Sequence, residues 1–333
     1  DTAPVHLYSI GGLPVRTASR LLIETHMSEI ATVDAAFGSR LNGPQRQAAT
    51  YGFDSGGGCG PLLVIAGAGT GKTNTLAHRV AFLLTQRVAP ERIALMTFSR
   101  RAAQEMLRRA ERIAAEALSG TSLAGVVGAS TRQLWSGTFH AIGNRLLREY
   151  APSLGLSDNF SVLDRGDSAD LMDMARHDLG FAQLAKRFPR KETCLSIYSL
   201  RVNTQASLLE TLDKSYPSFV DWHDELNTLF RSYVDAKQAQ QLLDYDDLLL
   251  YWHLLMQEPV LASDVGGRFD HVLVDEYQDT NVLQAEILAA LKPSGQGLCV
   301  VGDDAQSIYS FRAATVENIL GFPDNFSPPA AVI

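Results

Sequence analysis

The chain has 333 residues, of which 46% are hydrophobic and 20% are charged, and its formal net charge is −8. This composition excludes a disordered chain, and no apolar run approaches the length of about 18 residues that predicts a membrane span. The acidic balance argues against a protein that coats nucleic acid through bulk charge, although residues 97–112 and 186–191 form local basic runs. The three cysteines lack the spacing of a metal site, which favours a reducing, cytoplasmic setting.

Short apolar runs alternate with helical patterns along much of the chain. We expect residues 1–26, which precede Met27, to be a tag or leader and leave them out of the fold prediction. The strands are predicted at 62–66, 93–97, 135–139, 269–274 and 297–301. The Gly-rich run at 120–130 is predicted to be a surface loop. Strands that alternate with helices predict an α/β fold built on a parallel sheet.

The pattern changes between about residue 141 and residue 264, where helical periodicity dominates and no strand of comparable quality is predicted. We therefore expect a discontinuous sheet domain formed by 27–140 and 265–333. Residues 141–264 are predicted to be an α-helical subdomain inserted into it.

A glycine-rich segment, AGAGTGKT, follows the first predicted strand and opens a helix, as a P-loop requires. Its backbone N–H groups can surround phosphate oxygens, and the helix N-terminus adds partial positive charge. Lys72 would contribute a point charge to the phosphates, and the hydroxyl of Thr73 would bind Mg²⁺. The predicted nucleotide-binding residues of this loop are Ala66, Gly67, Ala68, Gly69, Thr70, Gly71, Lys72 and Thr73.

Two adjacent carboxylates end the predicted strand at 269–274. Asp275 is placed to meet the metal held by Thr73, and Glu276 is placed to orient and deprotonate a water aimed at the γ-phosphate. An Asp-Glu pair alone is a weak signal, but its order after a P-loop predicts a nucleotide-hydrolysing site.

Five further segments stand in a fixed order around these two. They are LNGPQRQA (41–48), LMTFSRRAAQEM (95–106), GTFHAIGNRLL (137–147), DYDDLL (244–249) and VVGDDAQSIYSFRAA (300–314). With the P-loop and VLVDEYQDTN (272–281), this series resembles the motifs of the UvrD/Rep/PcrA-like DNA helicases of superfamily 1. The resemblance implies a RecA-like P-loop domain, the cofactors ATP and Mg²⁺, and a DNA helicase or translocase that moves 3′→5′.

The resemblance also implies roles for single residues. Gln45 is expected to read the adenine edge, because an amide can both donate to it and accept from it. Gln306 is expected to reach the γ-phosphate and to join Lys72, Asp275 and Glu276 in catalysis. Exposed aromatic and basic side chains would stack on bases and balance phosphates. The residues expected along the single-stranded DNA are Thr97, Phe98, Tyr309, Phe311 and Arg312.

Relatives of this kind continue into a second RecA-like domain, whose motifs are not found before the chain ends at Ile333. We therefore expect a fragment that needs this C-terminal motor domain as its partner and is nearly inactive without it. Single-stranded DNA and single-strand/double-strand junctions are the expected substrates, no membrane is involved, and the expected location is cytoplasmic and nucleoid-associated. Two alternatives remain open: the motor portion of an AddA/RecB-like helicase–nuclease, and a P-loop DNA-binding switch without motor activity.

Overall fold

The computed structural model describes residues 40–53, 59–119, 131–184, 187–303, 305 and 317–333. The expected leader at 1–26, the predicted loop at 120–130 and the predicted site residues Gln306, Tyr309, Phe311 and Arg312 therefore lie outside the described residues. The strands are β1 (Leu62–Ile65), β2 (Ile93–Met96), β3 (Trp135–Gly137), β4 (Ser161–Val162), β5 (Leu242–Leu243), β6 (His271–Val274), β7 (Leu298–Gly302) and β8 (Ala331–Val332).

The helices alternate with these strands in the first and last parts of the chain and follow one another in the middle. They are α1 (Gly43–Thr50), α2 (Lys72–Thr85), α3 (Arg100–Ala117), α4 (Phe139–Tyr150), α5 (Arg165–Asp178), α6 (Lys191–Thr204), α7 (Leu208–Ser215), α8 (His223–Ala239), α9 (Tyr245–Gln257), α10 (Pro259–Gly267), α11 (Val282–Leu291) and α12 (Glu317–Gly321). No helix within the described ranges is both long enough and apolar enough to cross a membrane.

Six strands form one parallel sheet in the order β3-β2-β6-β7-β1-β8. The prediction of an α/β fold with a parallel sheet is confirmed. Cys299 of β7 is in register with Leu62 of β1 on one side and Leu273 of β6 on the other. The strand that feeds the P-loop is therefore separated by a single strand from the one that carries Asp275.

Three short strands were not predicted. β8 extends the sheet beside β1, and β4 pairs with β5 in a separate two-stranded sheet within the mainly helical middle of the chain. Each of these strands has only two residues. Two residues cannot display the alternation of apolar and polar side chains by which a strand is recognised, so only tertiary pairing reveals them.

Both faces of the large sheet are covered by apolar side chains, as a parallel sheet requires. Along β6, Leu273 belongs to the core on the side of α2 and α3, where Met106 is buried. Val272 and Val274 belong to the core on the other side, which includes Trp252 of α9. Residues that alternate in sequence therefore enter opposite cores, and the strand is fixed from both faces.

The middle of the chain has an apolar cluster of its own. It is built from α5, α6, α7 and α8 and includes the fully buried Leu229 and Tyr233. By contrast, Trp252 of α9 shares the core of the large sheet. The exact limits of a sheet domain and an inserted subdomain remain a prediction, but the helical middle has an apolar cluster separate from the two cores on the faces of the large sheet.

Candidate functional site

All six strands of the large sheet are parallel, so their carboxyl ends meet at one edge, which we call the carboxyl edge. The glycine-rich loop leaves β1 there, Asp275 leaves β6 and Asp303 leaves β7. Because ligands of open parallel sheets bind outside the carboxyl ends of the strands, this edge is where a functional site is expected.

The glycine-rich loop turns sharply before α2. Gly71 precedes the helix with φ of 91°, a left-handed conformation that other residues rarely adopt. The N–H of Ala66 donates to the carbonyl of Gly302 at 3.0 Å, and the hydroxyl of Thr70 donates to the carbonyl of Gly67 at 2.7 Å. These bonds tie the loop to β7 and to itself, and Thr73 lies in the first turn of α2. The loop thus has the shape that a phosphate-binding turn requires.

Gln45 lies against the outside of this loop. Its amide oxygen accepts from the N–H of Asn42 at 3.0 Å within a capping box at the start of α1. Its amide nitrogen donates to the carbonyl of Thr70 at 2.8 Å. In the structure Gln45 therefore connects the start of α1 to the glycine-rich loop. Its expected contact with adenine stays a prediction.

Lys72 and Glu276 form an ion pair across the site. The ammonium of Lys72 lies 3.2 Å from Oε2 of Glu276, and only 7% of Lys72 is exposed. Glu276 has φ of 52° and ψ of 48°, a left-handed backbone that costs a non-glycine residue energy. Because of this conformation, the chain bends away from the line of β6 at Glu276. The glutamate side chain thereby enters the same cleft as Lys72.

The polar atoms of this cleft are incompletely satisfied. Oδ1 of Asp275 and Oδ1 of Asp279 are buried and have no hydrogen-bond partner, and the buried Nζ of Lys72 has the ion pair with Glu276 but no hydrogen bond of good geometry. Burial, together with the neighbouring charge of Glu276, raises the pKa of Asp275 to about 7 and that of Asp279 to about 6. Buried polar groups that lack partners are uncommon in folded proteins and suggest a ligand.

The donor set fits a Mg²⁺ ion bound with a nucleotide. Asp275 offers a buried carboxylate oxygen without a hydrogen-bond partner, and Thr73 offers a hydroxyl at the same edge. Mg²⁺ is usually held by one or two protein oxygens, water and substrate phosphates. No cluster of three or more His, Cys, Asp or Glu suited to a metal lies within the described ranges, so an all-protein metal cage is not found there.

Of the five residues expected along single-stranded DNA, two lie within the described ranges. Thr97 is 3% exposed, and its hydroxyl donates to the carbonyl of Ser99. Phe98 is the second residue after β2, at the carboxyl edge, and is 44% exposed. The structure thus buries the threonine inside the turn and presents the aromatic ring to solvent. The other three, like the predicted catalytic residue Gln306, are not described.

An exposed aromatic residue that was not predicted lies nearby. Tyr245, the first residue of α9, is 45% exposed, and its ring lies edge-on to that of His140 with centroids 5.7 Å apart. His140 lies in the first turn of α4, and Thr138 caps this helix directly after β3, the strand beside β2. The segment DYDDLL could have indicated Tyr245 as a candidate, because it is the single aromatic residue there and stands among acidic ones.

Residues 275–281, here called the acidic segment, are held from two further directions. Asn281 donates to Oδ1 of Asn203 on α6 at 2.7 Å, and Asn203 donates to Asp246 on α9 at 2.6 Å. Asn318 of α12 donates to the carbonyl of Thr280 at 3.0 Å. The segment that carries the carboxylates is therefore bonded to the helical middle of the chain and to the region after β7.

Comparison with known proteins shows which proteins this chain resembles. The family of the UvrD/REP helicase N-terminal domain matches residues 41–327. The ATP-dependent DNA helicase PcrA of Staphylococcus epidermidis is 33% identical over 277 residues, which cover 82% of this chain and 35% of that protein. The protein of the same name from Staphylococcus aureus is 32% identical over 270 residues, or 80% of this chain and 34% of that protein. The chain thus spans about a third of the length of these curated relatives.

Proposed function

The chain belongs to the UvrD/REP helicase N-terminal domain family, and we propose that it supplies the ATP-binding and single-stranded-DNA-binding portion of an ATP-dependent DNA helicase. The observation that carries this proposal is the pairing of Lys72 with Glu276 beside the buried carboxylate of Asp275, whose Oδ1 lacks a hydrogen-bond partner. A site with this shape and charge suits a metal-bound nucleotide.

Each residue of the cleft has a role in this proposal. Lys72 leaves Glu276 and donates to phosphate oxygens, since a phosphate carries more negative charge than a carboxylate. Thr73 and Asp275 would hold Mg²⁺, which would neutralise charge on the phosphates. Glu276, freed from its ion pair, accepts a proton from the attacking water. Gln45 contacts the adenine and Gln306 contacts the γ-phosphate.

The DNA path is proposed to cross the carboxyl edge at the β2–β3 side of the sheet. Phe98 is exposed there, which supports base stacking, and stacking on an aromatic ring is tolerant of sequence. Tyr245 adds a second exposed ring near the end of β3. Thr97 shapes the turn that presents Phe98, and Tyr309, Phe311 and Arg312 complete the proposed set. The strand that precedes Phe98, β2, lies directly beside β6, which precedes Asp275 and Glu276. The proposed DNA path and the proposed nucleotide site therefore lie next to each other at the carboxyl edge.

The finer parts of the proposal rest on the family resemblance. They are movement in the 3′→5′ direction, binding at single-strand/double-strand junctions, and a nucleoid-associated, cytoplasmic location. The same holds for the domain limits: a sheet domain at 27–140 and 265–333 and an inserted subdomain at 141–264.

We also propose that motor action needs a second RecA-like domain. The chain matches about a third of each relative, and phosphoryl transfer gains about 10³–10⁵ in rate from an arginine supplied across the cleft. Hydrolysis by residues 1–333 alone is accordingly slow, and unwinding is absent.

Single-turnover hydrolysis of radiolabelled ATP, measured with the protein in excess and with or without single-stranded DNA, tests the proposal. Slow, Mg²⁺-dependent release of phosphate that DNA alters is the expected result. ATP binding with no hydrolysis under either condition would instead favour a switch without motor activity.

A further inference from the structure

The buried side chain of Gln278 connects two parts of the site. It belongs to the short 3-10 turn Tyr277–Asp279 and is only 1% exposed. Its amide nitrogen donates to Oε2 of Glu276 at 2.8 Å, and its amide oxygen accepts from the backbone N–H of Asp303 at 3.0 Å. One side chain therefore joins the glutamate after β6 to the first residue after β7.

The orientation of this amide is determined by its partners. The backbone N–H of Asp303 can only donate, and an ionised Glu276 carboxylate can only accept. A flipped amide would place its nitrogen against the N–H and its oxygen against the carboxylate, so both bonds would be lost. Only one of the two amide orientations satisfies the site, and it directs an N–H to Glu276.

Two side chains contact Oε2 of Glu276, Lys72 through an ion pair and Gln278 through a hydrogen bond, and they respond differently to a nucleotide. Lys72, at 3.2 Å, is the residue that would move to phosphate when a nucleotide binds. Gln278 is held at its other end, because its oxygen is bonded to the backbone of Asp303. It therefore remains on Oε2 after the lysine has left.

We propose that Gln278 is a positioning residue for hydrolysis: it holds Oε2 of Glu276 so that the other carboxylate oxygen faces the attacking water. This inference rests on the proposed function, because it assigns Gln278 a part in the reaction attributed to Glu276. The bond to Asp303 anchors the amide to β7, and the position of the glutamate therefore depends on the end of that strand.

The packing around Gly302 supports this assignment. A Cβ atom at this position would lie 2.7 Å from Oε1 of Gln278 and 2.7 Å from Cδ1 of Ile319. Glycine therefore allows the amide to approach β7 closely enough to reach the N–H of Asp303. A methyl group there would displace Gln278 without touching Glu276.

The experiment compares ATP affinity and single-turnover hydrolysis in the whole 333-residue chain. Gln278→Met keeps the length and burial of the side chain but removes the hydrogen bonds to Glu276 and Asp303, and Gly302→Ala displaces the amide by an independent route. In both variants we expect hydrolysis to slow by about 10- to 100-fold, the usual effect of removing a residue that orients a reacting group. ATP affinity should change by less than about threefold, since neither variant removes a phosphate contact.

The matched control is Gln284→Met. Gln284 also uses its amide oxygen to accept from a backbone N–H, that of Asn281 at 3.1 Å, within the capping box of α11. Its loss should leave the rate of hydrolysis unchanged. Amide hydrogen exchange at Asp303 supplies a second measurement: Gln278→Met should speed exchange there, whereas Gln284→Met should not.

The possible failures are distinguishable. Hydrolysis at the wild-type rate in a folded Gln278→Met variant would overturn the positioning role and leave the proposed function intact. An equal loss of ATP affinity and rate would also overturn it, because that pattern indicates general damage to the nucleotide site. A wild-type chain that neither binds nor hydrolyses ATP would overturn both.

Discussion

The ammonium of Lys72 lies 3.2 Å from Oε2 of Glu276, although the two residues are 204 positions apart in the chain. The pair brings the loop after β1 to the carboxylate after β6 across the intervening β7. In the proposed function the same lysine cannot serve Glu276 and a phosphate equally well, so the pair would couple nucleotide binding to the release of the glutamate.

Glu276→Gln is expected to separate binding from hydrolysis. Removing one negative charge from the cleft leaves Lys72 available to phosphate, so ATP should bind at least as tightly as in the wild type. Hydrolysis should fall by about 10²–10⁴, the usual contribution of a general base. Equilibrium binding and single-turnover hydrolysis measure the two effects, with the partly exposed Glu286→Gln on α11 as control. An unchanged rate in Glu276→Gln would rule out its role as base.

Much of this cleft could be predicted from the sequence, because the glycine-rich loop and the Asp-Glu pair each follow an apolar run that forms a strand. The parallel sheet then brings the strand ends to one edge. The connections of Gln278 could not be predicted, because its partner Asp303 is 25 residues away and the bond depends on how closely β7 approaches. The burial of Thr97 was equally hidden, since its hydroxyl bonds locally to Ser99.

Phe98→Ala is expected to weaken the binding of single-stranded DNA. The ring is 44% exposed at the carboxyl edge, and an aromatic ring that stacks on a base contributes about 1–3 kcal/mol. The loss should be similar for oligo-dT and oligo-dA, which fluorescence anisotropy can measure. Val260→Ala, which trims an 81% exposed side chain at the start of α10, is the control. Equal affinities of wild type and Phe98→Ala would remove this residue from the DNA path.

Lys237 holds two buried carboxylates together in the middle of the chain. Its ammonium lies 2.6 Å from Asp244 and 2.5 Å from Asp247, and the three residues are at most 5% exposed. Both carboxylates raise the pKa of Lys237 by stabilising its charge, while burial opposes them. Lys237→Met leaves the acids without their cation, so unfolding in urea should show a loss of about 3–5 kcal/mol.

Breaking an exposed pair provides the comparison for this variant. Lys191 lies 2.5 Å from Asp170, and its side chain is 32% exposed while that of Asp170 is 68% exposed. Lys191→Met should leave stability nearly unchanged, because solvent screens such pairs. A Lys237→Met variant as stable as the wild type would show that the buried carboxylates accept protons without cost.

His271 should make the protein sensitive to acid. It is 6% exposed at the start of β6, and burial together with the charge of Arg79 lowers its pKa from 6.5 to about 4. The unfolded state therefore takes up a proton on this ring more readily than the folded state. The free energy of unfolding keeps its full value above the unfolded pKa of 6.5 and decreases as the pH falls toward 4. Between about pH 7 and pH 5 the loss amounts to about 2 kcal/mol.

His271→Gln removes this titration. Urea unfolding at a series of pH values should show a shallower loss of stability in this variant than in the wild type. The exposed His223→Gln should follow the wild-type curve. Parallel curves for wild type and His271→Gln would show that this ring is not the group responsible.

The hydrogen bond between Asn281 and Asn203 should couple the acidic segment to the helical middle of the chain. Asn281 also caps α11, so Asn281→Ala alone is expected to cost about 1 kcal/mol. A double-mutant cycle with Asn203→Ala, followed by urea unfolding, should give a coupling energy between about 0.5 and 3 kcal/mol. The same cycle between Asn203 and Asn42, which caps α1 instead, should be additive. Additivity in both cycles would mean that the bond carries no coupling.

Isothermal titration calorimetry with ATP, performed on the wild-type chain and on Lys72→Ala with and without Mg²⁺, tests the nucleotide site most directly. One molecule of ATP should bind per wild-type chain, more tightly with Mg²⁺. Loss of the lysine should weaken binding by about 10- to 100-fold, as expected for a charged hydrogen bond to phosphate. Equal affinity in the two proteins, or no binding by the wild type, would contradict the assignment of this cleft as an ATP site.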